Sequence, residues 1–358
     1  YYFQATSMSP LLYSNTNTHI MMRLKIHKFD LPLKHTFTIA RESHNVQKSI
    51  VVELEVDGIS GIGEATANTY YDVTVGGLVG ILEGIRPLVE AYEFENPTDF
   101  WNYIHPYLRE FPFAQCALDV AAHDLYGKQR EQPLYKLWGL TAQNMPLSSY
   151  TIGIDKIDVM IEKMLEKPWP IYKIKLGTER DLPIIRALRK NTDAVFRVDA
   201  NCAWTVDQTV LYAKELEELG VEFIEQPLPR NAATRPAKKV LKYSSLPLIA
   251  DESCQVEKDV DHCHKKFDGI NIKLVKCGGL TPALRMIKRA RALDLKVMVG
   301  CMTESSVGIS AVAQLLPLVD YADIDGAILL ETDIATGVTL TNGQLHFTDR
   351  DGTGALLN

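Results

Sequence analysis

Residues 171–200 read IYKIKLGTERDLPIIRALRKNTDAVFRVDA and contain a strand, a helix and a second strand. The runs 171–176 and 195–199 are rich in β-branched, aromatic and other apolar residues, which is typical of short buried strands. Between them, residues 181–190 carry apolar side chains at helical spacing. Because parallel strands need a long crossover connection, this stretch predicts a parallel strand–helix–strand unit.

The same alternation extends over the second half of the chain. Strand-like runs occupy residues 149–154, 171–176, 195–199, 222–225, 248–251, 269–274, 296–300 and 322–330. Helix-compatible segments separate nearly all of these runs, and this rhythm predicts an α/β fold of the TIM (β/α) barrel type. An open doubly wound sheet is the alternative. It is disfavoured because the glycines of residues 58–63 lie between two strands, not at the start of a helix.

The N-terminal third of the chain predicts a separate domain. Strand-like alternation occupies residues 22–33 and 49–57, a turn is expected at 58–63, and helical patterns occupy 73–92, 99–109 and 113–128. We therefore predict an α+β capping domain at residues 21–140, a modified barrel at 141–330 and a C-terminal segment at 331–358 that returns to the cap. Residues 1–20 are expected to be a tag remnant or a flexible N-terminus without a signal peptide.

The composition is that of a globular protein with a large core. Hydrophobic residues make up 46% and charged residues 23% of the 358 residues, and the formal net charge is −7. The mild acidity argues against a nucleic-acid partner, and no apolar run reaches the roughly 20 residues that a membrane span needs. The six cysteines form no CxxC pair, which predicts free thiols and a cytoplasmic location.

Charged residues stand where the strand-like runs end. Lys175, Asp199, Glu225, Asp251 and Lys276 follow one another at intervals of 24, 26, 26 and 25 residues. One such residue per strand–helix unit places all of them at the carboxyl-end rim of the barrel. Barrel enzymes keep their active sites at this rim, so the series predicts an active site.

Three consecutive members of this series are acids, namely Asp199, Glu225 and Asp251. Three like charges on one rim repel one another unless a cation neutralises them. Ligands that are all oxygen favour a hard octahedral ion, Mg²⁺ before Mn²⁺ or Ca²⁺, so the sequence predicts one Mg²⁺ ion per subunit. The alternative is that each acid only caps a strand end or forms a salt bridge, which explains three acids in register less well.

Lysines flank the three acids in the same order. Lys173 and Lys175 are two residues apart on one strand, so both side chains should point into the barrel mouth, although a Lys-x-Lys pair can also be a solvated edge. Close to each other and to a dication, they should have a lowered pKa, which makes a neutral lysine available as a base. Lys276 is expected on the opposite side of the barrel, where it would complete an acid/base pair. Lys273, at an odd offset from Lys276, is expected to face the helices.

The ordered set of motifs around these residues points to a known family. The motifs are Lys173-Ile-Lys175, Asp199-Ala-Asn201, Glu225-Gln-Pro227, Asp251-Glu-Ser253 and Lys276-Cys-Gly-Gly279. Together they resemble the enolase superfamily, muconate-lactonizing-enzyme subgroup, over almost the whole chain. The resemblance implies an enolase-like fold, the three acids as metal ligands, and Lys175 and Lys276 as the acid/base residues. Lys173 would then contact the substrate carboxylate.

Two acids at the eighth strand, Asp323 and Asp325, distinguish between the reactions of that subgroup. Spaced two residues apart, they are expected to face the pocket together and to bind a cation. Dianionic substrates such as muconate would be repelled there, whereas a dipeptide brings an α-ammonium group. The pair resembles the signature of the dipeptide epimerases. The alternative is that one of the two acids only caps the following turn.

Other substrate contacts are expected from neighbouring strand ends and from the cap. The additional residues expected to bind substrate are Thr151, Cys301, Met302 and Glu304. Cap segments 33–46 and 65–72 are expected to close over the barrel mouth. Their polar residues Arg41, Glu42 and His44 have mixed sign and form no basic cluster for an acidic side chain, which favours a small, apolar or uncharged second residue.

We therefore predict a dipeptide epimerase that inverts the Cα of the C-terminal residue of Ala-X dipeptides. Ala-Ala, including D-Ala-D-Ala, and Ala followed by a small or apolar residue are the expected substrates. An L-Ala-D/L-Glu epimerase, an N-acylamino acid racemase and a muconate-type cycloisomerase are the alternatives within the subgroup, and a silent peptide-binding barrel is the non-enzymatic one. Besides the dipeptide, we expect a homo-oligomer and neither a nucleic-acid nor a membrane partner.

Overall fold

The structure is a computed structural model of the chain, and it describes residues 22–39 and 43–358. The predicted tag remnant or flexible N-terminus at residues 1–20 lies outside the described residues. Within them, a three-stranded antiparallel sheet with helices forms the cap, and an eight-stranded parallel sheet forms the barrel. The predicted fold class is therefore confirmed.

The strands form the cap sheet, the barrel and two short ribbons in the C-terminal segment. The cap strands are β1 (Arg23–Thr38), β2 (Ser43–Val56) and β3 (Ile59–Thr66). The barrel strands are β4 (Tyr150–Ile152), β5 (Ile171–Lys175), β6 (Val195–Asp199), β7 (Val221–Glu225), β8 (Leu248–Ala250), β9 (Gly269–Ile272), β10 (Lys296–Gly300) and β11 (Tyr321–Asp323). The last strands are β12 (Ala335–Thr336), β13 (Thr339–Thr341), β14 (Gln344–His346) and β15 (Leu356–Leu357).

Helices cover the cap sheet and surround the barrel. Those of the cap and of the segment that leads into the barrel are α1 (Val75–Glu90), α2 (Pro97–Leu108), α3 (Pro112–Gln129) and α4 (Leu134–Leu137). Those of the barrel are α5 (Ile157–Glu166), α6 (Asp181–Arg189), α7 (Val206–Glu218), α8 (Thr234–Tyr243), α9 (Glu257–Cys263), α10 (Leu274–Cys277), α11 (Leu280–Ala292) and α12 (Ser306–Ala313). Two 3₁₀ turns follow at Leu316–Leu318 and Gly326–Leu329.

The barrel strands are hydrogen-bonded neighbours in the order β4 to β11. Their register places Lys175 beside Asp199 and Asp199 beside Glu225, so the strand ends form a common rim. At the seam between β11 and β4, a parallel bridge joins Ser148 to Ala322. The eight predicted barrel strands are all present, and this register is what brings the rim residues close together.

Several barrel strands end earlier than predicted, and two of these differences affect the site. The eighth strand, β11, stops at Asp323 because Gly326–Leu329 forms a 3₁₀ turn. The sixth strand, β9, stops at Ile272, and Leu274–Cys277 forms a single helical turn. The side chain at the carboxyl end of the sixth strand therefore belongs to Lys273.

The turn predicted at residues 58–63 is shorter in the structure. Asp57 and Gly58 form the turn, with positive φ angles of 54° and 77°. Gly61 and Gly63 are strand residues, and a Cβ on Gly61 would lie 2.1 Å from a backbone oxygen of α3. These two glycines therefore allow the sheet to approach the helix closely, which a sequence reading cannot tell from a turn.

Buried polar contacts hold the cap and the C-terminal segment together with the barrel. Asp119 of α3 accepts hydrogen bonds from the backbone nitrogen (2.9 Å) and hydroxyl (2.7 Å) of Thr281 on α11. Asp124, also on α3, accepts bonds from the backbone nitrogen (2.7 Å) and hydroxyl (2.9 Å) of Thr353. Because a buried donor that loses its acceptor is costly, these bonds fix the position of the cap over the barrel.

The described residues also bear on two expectations from the composition. Their helices include none that is long and apolar enough to cross a membrane. All six cysteines carry free thiols, as the lack of CxxC pairs predicts.

Gly61→Ala is expected to destabilise the protein, because the new Cβ would collide with the backbone of α3. We expect a loss of about 2–3 kcal/mol in the free energy of unfolding, measured by denaturant titration. Gly80→Ala is the matched control, since a Cβ at this position of α1 meets nothing within 4 Å. It should raise the free energy of unfolding by about 0.5–1 kcal/mol. Equal effects of the two substitutions would contradict the close approach of β3 to α3.

Candidate active site

The carboxyl ends of three neighbouring strands bring the predicted acids together. Asp199 and Glu225 are the last residues of β6 and β7, and Asp251 directly follows β8. All three are buried, with at most 3% of each residue exposed, and one carboxylate oxygen from each lies within 4.8 Å of the others. The predicted convergence at the rim is therefore present.

The electrostatics of these three acids favour a bound cation. Burial raises the pKa of Glu225 to about 7, and the charges of Asp199 and Asp251 add to the shift while Lys173 opposes it. A cation among the carboxylates would remove this repulsion. Three carboxylate oxygens at this spacing fit a hard ion such as Mg²⁺, whose bonds to oxygen are about 2.1 Å long, with other positions left for water and substrate oxygens.

Lys173 and Lys175 extend from β5 towards the three acids. The Nζ of Lys175 donates to Oδ2 of Asp199 (2.7 Å). The Nζ of Lys173 lies 2.8 Å from Oε2 of Glu225 and 2.7 Å from Oδ2 of Asp323. Burial disfavours the Lys173 ammonium, but the carboxylates of Asp323 and Glu225 outweigh it and hold the pKa of Lys173 well above its usual range. The prediction that the pKa of Lys173 is lowered is therefore wrong, because that prediction considered the neighbouring lysine and omitted the facing acids.

Lys273 is the third lysine of this cavity. It follows the last residue of β9, its Nζ lies 2.9 Å from Oδ2 of Asp251, and only 8% of the residue is exposed. The prediction that Lys273 faces the helices is therefore wrong. Its position directly after a strand, like that of Asp251, is the signal in the sequence that could have identified it.

Lys276 lies behind the rim, on the helical turn α10. Its Nζ donates to the backbone oxygens of Asp251 (2.7 Å), Cys254 (3.0 Å) and Asn271 (3.2 Å). It also forms an ion pair with the Asp251 carboxylate, and it borders a separate cavity between the cap and the barrel helices. The expected placement of Lys276 opposite Lys175 is thus corrected, because the chain leaves the strand before residue 276.

Asp323 and Asp325 line the same cavity from the eighth strand. Asp323 accepts a hydrogen bond from the Ser149 hydroxyl (2.6 Å) and pairs with Lys173. Asp325 accepts bonds from the backbone nitrogen (2.7 Å) and hydroxyl (3.2 Å) of Thr151, and it makes no side-chain capping bond to the 3₁₀ turn that follows. Burial, with help from the charge of Asp323, raises the pKa of Asp325 to about 7. A cation would therefore be bound favourably beside this pair.

The barrel and the cap both contribute to the wall of the cavity. Thr151, Cys301 and Met302, which are predicted to bind substrate, line it. The residues from the cap that line it are Phe37, Ile39, His44, Gln47, Asn68, Tyr70 and Tyr71. Both predicted cap segments thus reach the cavity, while Arg41 and Glu42 lie outside the described residues.

Two lining residues beside Asp199 and Asp251 are not among the predicted site residues. Asn201 donates from Nδ2 to Oδ2 of Asp199 (3.1 Å), and Glu252 is the neighbour of Asp251. Both belong to motifs that the sequence analysis quoted. Their positions two residues after Asp199 and one residue after Asp251 are the signal that could have identified them.

Glu304, predicted as a substrate contact, lies beneath the wall where the barrel meets the cap. It accepts a hydrogen bond from the backbone nitrogen of Met302 (2.9 Å). Its neighbour Glu64 on β3 accepts bonds from the backbone nitrogens of Ser305 (3.1 Å) and Gly308 (3.0 Å). Burial, with the charge of Glu64 adding to it, raises the pKa of Glu304 to about 8. Glu304 is therefore a protonated group of the cap–barrel contact at neutral pH.

Two family models together match nearly all of the described chain. Residues 21–139 match the mandelate racemase / muconate lactonizing enzyme N-terminal domain, and residues 157–358 match the enolase C-terminal domain-like family. The chain belongs to the enolase superfamily. The resemblance drawn from the ordered motifs is thereby confirmed.

Several known proteins are similar to this protein over nearly the whole chain. An L-Ala-D/L-amino acid epimerase of Flavobacterium johnsoniae is 54% identical, covering 94% of this chain and 100% of that protein. An L-Ala-D/L-Glu epimerase of Bacteroides thetaiotaomicron is 38% identical, covering 94% and 88%. The dipeptide epimerase of Enterococcus faecalis, in complex with Mg and the dipeptide L-Leu-L-Tyr, is 32% identical with a TM-score of 0.87, covering 94% and 99%. The prediction that the chain is an isomerase of the epimerase type is confirmed.

The raised pKa of Glu304 predicts that the stability of the folded protein depends on pH. In the unfolded chain Glu304 loses its proton at its ordinary pKa, about 4.3, whereas in the folded protein its pKa is about 8. Between these values the folded state binds the additional proton, so this residue makes the folded protein less stable as the pH rises from about 4.3 to 8. Glu304→Gln removes this contribution. We expect its Tm, relative to the unsubstituted protein, to increase when the pH is raised from 5 to 8.5.

The control for this experiment is Glu110→Gln, since the side chain of Glu110 is 80% exposed. Its Tm difference from the unsubstituted protein should stay constant over the same pH range. A Glu304→Gln difference that is equally constant would contradict a protonated Glu304 at the cap contact.

Proposed function

We propose that the protein is a dipeptide epimerase that inverts the Cα of the C-terminal residue of Ala-X dipeptides, Ala-Ala among them. The observation that carries the proposal is the arrangement of charges in one cavity. Three acids for a metal ion lie between lysines from two sides, and a further pair of acids faces the cavity from the eighth strand. The names of the relatives, which are dipeptide or L-Ala-amino acid epimerases, support the same activity.

Asp199, Glu225 and Asp251 are the residues that would hold one Mg²⁺ ion per subunit. When bound, the ion supplies positive charge for the substrate carboxylate and for the negative charge that develops as the Cα proton leaves. Lys173, whose Nζ lies 2.8 Å from Glu225, adds a fixed positive charge on the same side. We propose that Lys173 orients the substrate carboxylate in this way.

Lys175 and Lys273 are the proposed acid and base. The Nζ of Lys175 contacts Asp199 and that of Lys273 contacts Asp251, so the two lysines reach the metal-binding acids from β5 and β9. These strands are four apart in a barrel of eight, which places the lysines on opposite sides of a substrate held at the acids. A neutral lysine on one side removes the Cα proton, and the ammonium on the other side protonates the opposite face. Lys273 takes the role that the sequence analysis gave to Lys276.

Asp323 and Asp325 are the proposed receptor for the α-ammonium group of the dipeptide. Burial, with the charge of Asp323 adding to it, raises the pKa of Asp325, and an ammonium group beside this carboxylate would stabilise its charged form with charge-assisted hydrogen bonds. The donors already bound to them, Ser149 and Thr151, fix their orientation from β4 and its N-terminal flank. A dianionic substrate would instead add negative charge at this end of the cavity.

The alternatives differ in what they require at the two ends of the cavity. The activity of an N-acylamino acid racemase or a muconate-type cycloisomerase does not require an ammonium receptor. A silent peptide-binding barrel does not require opposed lysines. An L-Ala-D/L-Glu epimerase needs positive charge for the second side chain. The described cap residues that line the cavity include neither lysine nor arginine, which favours an uncharged second residue. A homo-oligomer and a cytoplasmic location stay predictions from the sequence.

The lysine assignment predicts a distinctive pattern of hydrogen exchange. Lys175→Ala and Lys273→Ala should each abolish interconversion of L-Ala-L-Ala and L-Ala-D-Ala, because one face of the Cα loses its proton donor or acceptor. Each variant should still exchange the α-proton of one stereoisomer with D₂O, and the two variants should retain opposite isomers. Nuclear magnetic resonance of the separated isomers in D₂O measures this exchange.

Lys276→Gln distinguishes the assignment from its alternative. The substitution weakens the bonds to three backbone oxygens, so we expect a lower Tm. The fraction that remains folded should continue to interconvert both isomers. If Lys276→Gln loses exchange on one face while Lys273→Ala interconverts both isomers, then Lys276 is the base and Lys273 is wrongly assigned.

The ammonium receptor predicts that the charge of the substrate amine is required. N-acetyl-Ala-Ala lacks this charge and leaves the two acids without a partner, so its kcat/KM should fall roughly 30- to 1,000-fold below that of Ala-Ala. Asp323→Asn and Asp325→Asn should lower the kcat/KM for Ala-Ala and narrow this difference. N-methyl-Ala-Ala, which keeps the charge, is the control and should retain most of the activity. Faster turnover of N-acetylated or N-succinylated amino acids than of free dipeptides would instead favour the N-acylamino acid racemase.

A further inference from the structure

The proposed function leaves the side chain of the epimerised residue without a partner. In that function the ammonium end lies at Asp323 and Asp325, the carboxylate end lies at the metal-binding acids, and lysines occupy two sides of the Cα. The cap lines much of the remaining wall of the cavity, together with barrel residues such as Cys301, Met302 and Leu329. Polar groups of this wall that lack a strong hydrogen-bond partner therefore indicate which kind of side chain the enzyme accepts.

Asn68 presents such a group. Its backbone is fixed by two hydrogen bonds of 2.9 Å with Val73, and its Oδ1 accepts a bond from the backbone nitrogen of Tyr71 (3.3 Å). A backbone nitrogen can only donate a hydrogen bond, so this contact identifies the bonded atom of the amide as Oδ1 and the other as the donor Nδ2. Among the described residues, the partner of Nδ2 is the thioether sulfur of Met302 at 3.7 Å. Thioether sulfur is a weak acceptor, so a strong donor in this wall has a poor partner.

His44 presents a second group of this kind. It lies on β2, opposite Phe37 in the register of the cap sheet, and its ring is tilted against the Phe37 ring at a centroid distance of 5.9 Å. Its Nε2 is buried and has no hydrogen-bond partner in the part of the chain that the structure describes. A buried polar atom without a partner costs free energy, and such atoms are rare in folded proteins.

The chemistry of these two groups selects one class of side chain. An acceptor oxygen placed in the cavity would replace the Met302 sulfur as the partner of Asn68 and could pair with His44. A carboxylate would supply such oxygens. However, the cap residues that line the cavity, among those that the structure describes, include no lysine or arginine, so burying the carboxylate charge there is unfavourable. An amide or hydroxyl supplies the oxygen without the charge. An aliphatic or thioether side chain leaves both groups as they are.

We infer that Asn68 and His44 are specificity-determining residues that select a second residue with an uncharged hydrogen-bonding side chain, such as glutamine or threonine. The inference rests on the proposed function and deepens it by naming the class of X in the Ala-X dipeptides. It concerns selection among dipeptides only, because neither residue belongs to the groups that move the proton.

The test compares substrates of nearly equal size and shape. L-Ala-L-Gln is paired with L-Ala-L-Met, and L-Ala-L-Thr with L-Ala-L-Val, and kcat/KM is measured for each with Mg²⁺ present. One additional hydrogen bond is expected to favour the polar member of each pair about tenfold. L-Ala-L-Glu should be a poorer substrate than L-Ala-L-Gln. L-Ala-L-Ala, whose methyl side chain carries no hydrogen-bonding group, is the internal reference.

Asn68→Leu keeps the size of the side chain and removes the amide, so the preference within each pair should disappear, and the kcat/KM for the polar member should fall more than that for L-Ala-L-Ala. His44→Phe keeps an aromatic ring and removes both nitrogens, and it should reduce the same preference. His44→Phe also provides the result if Asn68→Leu does not fold, since Asn68 has a structural bond to Tyr71.

Three results would overturn the inference. They are an unsubstituted enzyme that prefers methionine and valine, a preference for glutamate over glutamine, and variants that lose activity equally towards all the dipeptides. The last result would assign the two residues a structural role. If the unsubstituted enzyme epimerises no dipeptide at all, the proposed function itself is wrong. If it epimerises dipeptides but does not prefer the polar member of each pair, only the inference about the side chain is wrong.

Discussion

Three carboxylates buried at the ends of β6, β7 and β8, with oxygens within 4.8 Å of one another, are the constraint on which the rest of the structure depends. Burying such a group without compensating positive charge costs more than a folded protein of ordinary stability can offset. The chain compensates with Lys173, Lys175 and Lys273, each within 3 Å of an acid of the cavity. The same positive charges, together with a metal ion, suit the site to stabilise negative charge on a substrate.

The barrel and the cap contribute different parts of the site. The barrel supplies the reacting and charged groups from fixed strand ends, which lie within a well-packed core. The cap supplies a largely uncharged wall that includes Asn68 and His44. Buried contacts, such as those of Asp119 with Thr281 and of Glu64 with Ser305, keep the two in a constant relative position. Differences in the cap can therefore alter the substrate without altering the chemistry.

The sequence predicted the barrel and the acids because each strand–helix unit carries one polar residue at a nearly constant interval. The same regularity produced the error at Lys276, since the interval of 25 residues continued after the chain had left β9 at Ile272 and formed a helical turn. The sequence pattern predicts a turn at Gly61 and Gly63, whereas their role in the close packing of β3 against α3 depends on tertiary structure. For the same reason the pattern could not show that acids surround Lys173, or that Asn68 has a thioether as its partner.

The central claim is that opposed lysines transfer a proton at one carbon of a metal-bound dipeptide. The most direct test is the mass and position of deuterium in L-Ala-L-Ala after incubation with the protein and Mg²⁺ in D₂O. The account predicts one deuterium at the Cα of the C-terminal residue in the epimerised product, and no uptake after EDTA has removed the metal. Deuterium at the N-terminal residue, epimerisation without uptake from the solvent, or uptake that EDTA does not affect would contradict it.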